Sequence, residues 1–452
     1  MQFVGLDDIA VVDLETSTSG LVLTIETLPR PVGCPSCGVL ARLKDRAPVR
    51  LIDLPCYGRP TTTVWLKRRF TCIDADCEQR SFTERDDRIA PSRSSLMTRA
   101  GRFVTHQVGA HARSVSEVAE DLGCNWHTVN NAVVQWGEAL LEADTERIGS
   151  VEALGLDEVA FAKLGERRKL HFATTIADTR RGQLLDVMPG RGGAEPRTWI
   201  NERSPGWRAG VKWATLDLSA AFRSVFVATL PDATLVADPF HVVKHANSKL
   251  DECRRRVQNE TLGHRGRKTD PLFRSRRLLT MAKQRLNEDA EAKMVGLLKA
   301  GDPRGEVATS WHAKEAVREL YAHADEATAA QWIDQLIVDM ADRSQPIEVR
   351  SLGRTLKNWR NEIIAWHRSH ASNGPTEAVN NLVKRVKRAA FGFRSFRSFR
   401  VRALLYAGKP NWSLLETVMP AETRRAPMSC SARCPTRVGS EGLCRSRWTR
   451  RT

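Results

Sequence analysis

The sequence predicts a multidomain α+β protein with a β-rich, cysteine-bearing N-terminal segment, a helical hairpin, and an α/β core interrupted by a long all-helical stretch. Three observations predict it. Strand-like alternation runs through residues 1 to about 90, where Cys34, Cys37, Cys72 and Cys77 gather. Apolar strand-like runs alternate with short helical patterns from 151 to 242. Residues from about 243 to 370 then carry no strand signal and are charged, helical in period and rich in Arg, Lys and Trp.

The chain has 452 residues, a net charge of +17 and an apolar fraction of 41%. The length suits roughly three domains at about 150 residues each. A basic excess of this size points to a polyanion partner, with a membrane surface as the rival. No stretch approaches the roughly 18 apolar residues of a spanning helix, so no membrane is expected. The N-terminus lacks a basic region followed by an apolar one, and the cysteines are not spread as a disulfide framework. A cytoplasmic location is therefore expected.

In the N-terminal segment, Leu21 to Thr27 and Thr61 to Lys67 alternate as strands do. Cys34-Pro-Ser-Cys37 is a tight cysteine pair, and Cys72-Ile-Asp-Ala-Asp-Cys77 a looser one. Two thiolate pairs on loops joined by strands form the four-sulfur shell that structural Zn²⁺ prefers, a zinc ribbon. A redox pair would need a βαβ context and no second pair. Lys67-Arg68-Arg69 beside it is expected to suit phosphate contacts.

Residues from about 95 to 145 read as helices. Within them, Ser114 or Ser116 can cap a first helix with Val115, Val118, Ala119 and Leu122 on one face. Gly123 supplies a left-handed turn. Asn125 can cap a second helix with Val129, Ala132, Val133 and Trp136 inward. Asn125, His127, Thr128, Asn130 and Asn131 then lie exposed near its start, as in a DNA-binding helix-turn-helix. An ordinary helical hairpin is the plainer alternative.

From 151, three strands are expected: Val151 to Phe161, Leu170 to Ala177 and Gln183 to Val187. A helix from Ala194 to Asn201 leads to a fourth strand, Val211 to Asp217. A helix from Ser219 to Thr229 leads to a fifth, Thr234 to Ala237. Asp157 sits on the first strand, Asp217 ends the fourth, and Glu377 opens a basic helix from Pro375 to Ala390. This order matches a ribonuclease-H-like core, in which such acids converge to hold two divalent ions roughly 4 Å apart. Taken alone, Asp217 before Leu-Ser-Ala-Ala reads better as a helix cap. Asp238 and His241, at the start of the next helix, are placed to orient the site or touch metal. Asp238 also competes with Asp217 as the second ligand, and spacing leaves both open. On the last helix, Glu377 is followed by Asn380, Asn381, Lys384, Lys387 and Arg388 on one face, with the three cations set for phosphates. Val379, Leu382, Val383 and Val386 are expected to pack on the sheet. Phe391 to Phe399 interleaves aromatics and arginines, which suits base stacking or core packing.

From about 30 to 412 the chain resembles bacterial insertion-sequence transposases of the ISL-three family. The resemblance rests on the four cysteines, the 114 to 136 hairpin, Leu156-Asp157-Glu158, Asp217 and Asp238-Pro-Phe-His-Val-Val-Lys244. It also rests on Ser372-Asn373-Gly374 leading to Glu377, Asn381, Lys384, Lys387-Arg388 and Gly392-Phe393. It implies a catalytic set of Asp157, Asp217 and Glu377 with two Mg²⁺ (or Mn²⁺), and cleavage at terminal inverted repeats followed by strand transfer into target DNA. It also implies a helical insertion before the glutamate. The expected partners are double-stranded DNA and further copies of the chain on that DNA, at the nucleoid. The expected division is a zinc ribbon to 92, a helix-turn-helix at 93–148, core parts at 149–242 and 371–413 around an insertion at 243–370, and a disordered or aberrant tail from 414. The tail looks foreign, as a shifted reading frame would make it. A non-catalytic DNA-binding regulator leaves the three acids unexplained. A ribonuclease or junction resolvase does not need two N-terminal DNA-binding modules.

Overall fold

The computed structural model describes residues 5–421, apart from 19 and 165–168. Of the expected tail, residues 414–421 are described and begin packed, with Leu415 buried in the first core, and the rest lies outside the described residues. The N-terminal sheet holds β1 (Ile9–Ser17), β2 (Gly20–Thr27), β3 (Arg42–Cys56), β4 (Arg59–Thr71) and β5 (Ser81–Thr83). Its order is β1-β2-β4-β3, with β5 on β4. β3 and β4 form one long hairpin that pairs Arg42 with Thr71. The loops before β3 and after β4 therefore leave the sheet at the same end, and these loops carry the two cysteine pairs.

Three helices follow: α1 (Thr98–Gly109), α2 (Val115–Asp121) and α3 (Trp126–Ala143). Ser114 and Glu117 cap α2 reciprocally, and Gly123 turns the chain at φ +62°. The expected inward residues Val115, Val118, Ala119, Leu122, Val129, Ala132, Val133 and Trp136 are all buried. They share one core with Ile25, Leu51 and Trp65 of the sheet.

The second sheet contains β6 (Ala153–Leu164), β7 (Lys169–Asp178), β8 (Gln183–Pro189), β9 (Trp213–Leu216) and β10 (Thr234–Ala237). Its order is β10-β9-β6-β7-β8. β10, β9 and β6 run parallel, whereas β7 is antiparallel to both neighbours. α4 (Ala194–Asn201) and α5 (Pro205–Gly210) lie between β8 and β9, and α6 (Ala220–Thr229) links β9 to β10. The fourth strand is shorter than expected, because the chain leaves α5 only at Val211.

Beyond β10 come α7 (Pro239–Leu262), α8 (Pro271–Thr280), α9 (Glu288–Gly301), α10 (Glu306–Glu319), α11 (Glu326–Ala341), α12 (Ile347–Asn358) and α13 (Arg360–Ser369). α7 runs unbroken through position 243, where the sequence suggested a boundary. This helical stretch is not a detached lobe. Val317, Leu320, Ile333, Leu352 and Ile363 share a core with Leu154, Leu156, Ala214 and Leu216 of the sheet and Phe222 of α6. α14 (Gly374–Ala389) and α15 (Phe396–Ala407) complete the layer built on Val159, Phe161, Ala173, Leu184 and Val187.

α15 is shared by both halves. Val401 and Leu405 belong to the core of α1–α3, and Phe399, Ala403 and Leu404 to that of the second sheet. A Cβ on Gly137 of α3 would lie 2.7 Å from Val401, so only glycine permits the approach. Arg400 forks onto buried Asp186 of β8 at 2.7 and 2.8 Å, and Trp199 Nε1 donates to the same carboxylate at 3.0 Å.

Candidate active site

Two of the acids follow the C-terminal ends of parallel strands, and Asp157 lies within β6 just past its pairing with β9. Asp157 lies on β6, Asp217 directly follows β9, and Asp238 directly follows β10. Asp217 does not cap the next helix. Ser219 does, accepting from Phe222 N. The Asp217 Oδ1 atom is buried without a hydrogen-bond partner. Burial, and then the Asp157 carboxylate, raise the Asp217 carboxyl above its ordinary range, while His241 opposes the rise.

Asp238 is engaged at both oxygens. Oδ2 accepts from His241 N at 3.2 Å and pairs with the His241 ring at 3.0 Å, capping α7. Oδ1 accepts from Asn373 N at 2.8 Å, just before α14. The far ring nitrogen of His241 lies 3.6 Å from Glu377 Oε1. Asp238 above all, then Asp217 and Glu377, hold the imidazole's pKa above its usual value. Asp238 therefore ties together the starts of α7 and α14, and Glu377 sits in the first turn of the latter.

Asn380 differs from its sequence assignment. The cation-bearing face was its expected place, but it is only 2% exposed. Its Nδ2 donates to Asp157 Oδ2 at 2.7 Å, and its Oδ1 accepts from Thr175 Oγ1 at 2.9 Å. Leu382, expected inward, is 37% exposed. The buried arc is Thr376, Val379, Asn380, Val383 and Val386. Counting from Val383, position 380 falls three residues back on the apolar stripe, so helical spacing could have found it. The helix comes this close because β6 offers Gly155. A Cβ there would lie 2.4 Å from Thr376 Oγ1 and 3.0 Å from Asn373 Oδ1.

Lys387 is likewise withdrawn from the expected phosphate-binding set. Its Nζ donates to Ala160 O at 2.7 Å, and burial lowers its pKa. Lys384 and Arg388 remain exposed. On α3, Asn125, His127 and Asn131 are exposed, and Thr128 and Asn130 partly so. Asn125 Oδ1 accepts from both Thr128 N and Thr128 Oγ1, so that pair serves the cap first.

The four ribbon cysteines come together. Their sulfurs all lie within 4.8 Å of one another. Cys37 and Cys72 are 3.5 Å apart, and Cys34 and Cys77 are 3.8 Å apart. Four sulfurs placed tetrahedrally at about 2.3 Å from zinc stand roughly 3.8 Å from each other, so the shell fits that ion. Without an ion the thiols divide: the Cys37 and Ser36 backbone N–H groups lower Cys34 to about 7, whereas, against the Val39 N–H, burial and the neighbouring sulfurs push up Cys37, and burial pushes up Cys72. Of the neighbouring basic run only Arg68 is withdrawn from solvent, while Lys67 is partly exposed and Arg69 exposed. Arg68 is buried against Glu26 and the Thr27 and Leu28 carbonyls, and Arg69 pairs with Asp45. Among the described residues no other group of His, Cys, Asp and Glu draws together as tightly as the four cysteines. The candidate acids fit divalent ions through their chemistry: hard carboxylate oxygens, one of them buried and unsatisfied.

Comparison with known proteins places this architecture in a class. A family model described as a transposase, that of the ISL-three DDE transposases, matches residues 154–403, more than half of the chain. The chain belongs to that family and is a DNA transposase. It is 26% identical over 387 residues to the transposase of insertion sequence element IS1001 from Bordetella parapertussis, covering 82% of this chain and 88% of that protein. It is 27% identical over 317 residues to the transposase of IS1557 from Mycobacterium tuberculosis, covering 66% and 69%. No helix among the described residues is long and apolar enough to cross a membrane.

Proposed function

We propose that Asp157, Asp217 and Glu377 hold two Mg²⁺ ions for cleavage of the terminal inverted repeats of an insertion sequence and for strand transfer into target DNA. The observation that carries this reading is Asp217 Oδ1, a buried carboxylate oxygen with no partner beside a second carboxylate. Such an atom is costly unless a cation completes it. When bound, the ions supply a nucleophile at neutral pH and stabilise the entering and leaving oxygens of the phosphodiester. Asn380 keeps one Asp157 oxygen oriented. Asp238 acts through its partners, holding His241 and the Asn373 N–H, and so the turn that presents Glu377. The unsatisfied Oδ1 favours Asp217 over Asp238 as a ligand; engagement alone does not decide, since both Asp157 oxygens also accept hydrogen bonds, from Glu158 N and Asn380 Nδ2.

The strand order and the single antiparallel strand support a ribonuclease-H-like core in two parts, with α7–α13 as the insertion between them. The cysteine shell supports a structural zinc ribbon, and the exposed start of α3 supports sequence recognition on duplex DNA. The protein then acts as a homo-oligomer on DNA in the bacterial cytoplasm.

A labelled terminal-repeat duplex tests the assignment. Asp217→Asn should abolish cleavage in Mg²⁺ and in Mn²⁺. Asp238→Asn should keep measurable cleavage, reduced about 10- to 100-fold as for residues that orient ligands. The reverse pattern would move the ligand role to Asp238.

A further inference from the structure

Of the phenylalanines in the Phe391 to Phe399 segment, one breaks both rules of its position. Phe393, Phe396 and Phe399 pack on Phe161 and on each other. Phe391 is 94% exposed. It also follows α14 at φ +52°, with Phe391 N donating to Arg388 O and Gly392 N to Lys387 O, both at 3.0 Å. This is the left-handed cap that glycine usually occupies, and an L residue is strained there. A large apolar ring is thus held in water by a backbone that disfavours it. Neither burial nor local conformation accounts for a phenylalanine here, and such breaches of local consistency mark functional positions.

Its surroundings indicate an occupant. Glu377, Asn381, Lys384 and Arg388 recur at i, i+4, i+7 and i+11 along α14, and Phe391 follows in the left-handed turn that ends the helix. Asn381, Lys384 and Arg388 are exposed, and Arg394 beyond the turn is too. At 1.5 Å per residue the end of α14 at Ala389 lies about 18 Å along the axis from Glu377, and Phe391 stands just beyond it, a span of about five to six base pairs. The stripe therefore begins at the candidate metal site and offers cations for phosphates, and the turn that closes the helix carries an exposed aromatic ring.

We propose that Phe391 is a stacking wedge. It enters the DNA about six base pairs from the cleaved phosphodiester and unstacks one base step, while Lys384 and Arg388 hold the intervening backbone. The proposal rests on the reading of Glu377 as part of the cleavage site.

The test uses the full-length protein and end duplexes carrying 2-aminopurine singly, at positions about four to eight base pairs on either side of the cut. One position should brighten on binding to the wild type and to Phe391→Tyr, and stay dark with Phe391→Gly. Glycine suits the left-handed cap, so that variant should melt no lower than the wild type, yet bind the duplex about tenfold more weakly. An abasic nucleotide at the responsive position should restore its affinity. Equal brightening with Phe391→Gly overturns the wedge. So does a loss of self-association in that variant with DNA signals unchanged, which would make a second copy of the chain the occupant. Wild-type binding and cleavage without brightening at any position overturns the wedge alone. A wild type that neither binds nor cleaves the end duplex overturns the cleavage-site reading, and the wedge with it.

Discussion

Asn380 shows how little separates a surface residue from a buried one. It and Asn381 are adjacent and chemically identical, yet one is buried against Asp157 and the other exposed. Asn380→Leu keeps the branched shape, though with bulkier methyl ends, but removes both hydrogen bonds and leaves Thr175 Oγ1 with only its longer contact to Asp157 O. Cleavage of an end duplex is expected to fall about 10- to 100-fold, with the circular-dichroism spectrum unchanged. Wild-type activity in that variant would remove Asn380 from the site. Asp217 carries a pH signature. Its carboxyl titrates above the usual range because of burial and then Asp157, so the folded state holds the proton more tightly than the unfolded state. In metal-free protein this group's contribution to stability therefore falls as pH rises from the ordinary carboxylate range through the raised value. In the presence of a chelator, Asp217→Asn should melt higher than the wild type near neutral pH, and the difference should close in acid. A lower melting point at neutral pH would contradict the buried, unsatisfied state of this carboxylate. The sequence named the strand-end acids, but spacing does not show hydrogen-bond partners. The structure adds that Asp217 Oδ1 has no partner, whereas both Asp238 oxygens accept hydrogen bonds.

Elements were legible where one face is continuously apolar. α2 and α3, the strands of the second sheet and the helical period of α7–α13 all carry such a face. β1 and β3 escaped notice because they edge their sheet and alternate charges on exposed faces, as in Arg42-Leu-Lys-Asp-Arg46. Edge strands need no unbroken apolar run. The cysteine loops were legible for a different reason, since ligand spacing survives whatever strands join the pairs. The hairpin register then brings the pairs together, and the structure adds that little apolar packing surrounds them beyond Phe82. Purified protein should carry about one zinc, and Cys72→Ser should lose it and unfold the loops, read by metal analysis and proteolysis. Full zinc occupancy in that variant would refute the shell.

At the scale of the molecule, the sequence suggested a string of separate domains, and the packing is more continuous. The helices after β10 complete the core over the second sheet, and α15 belongs to two cores at once. Periodicity reports which face of a helix is apolar, not which neighbour it meets, so this sharing could not be read ahead. The ion pair of Arg397 with Glu138 and the close approach at Gly137 add to the same joint.

On the proposed reading, α15 joins the helix assigned to DNA recognition and the acids assigned to cutting through two shared cores. Where the strand breaks is then set by arc length along the duplex from the recognised bases, and not by the bases at the break. Changing every base pair at the break should leave its position untouched. Inserting five base pairs between the recognised sequence and the break turns the backbone about half a revolution away from the acids. Gel mapping of the products should then show cutting at the original distance, now within the inserted sequence, or no cutting at all. A cut that moved with the displaced sequence would mean that the joint at α15 yields.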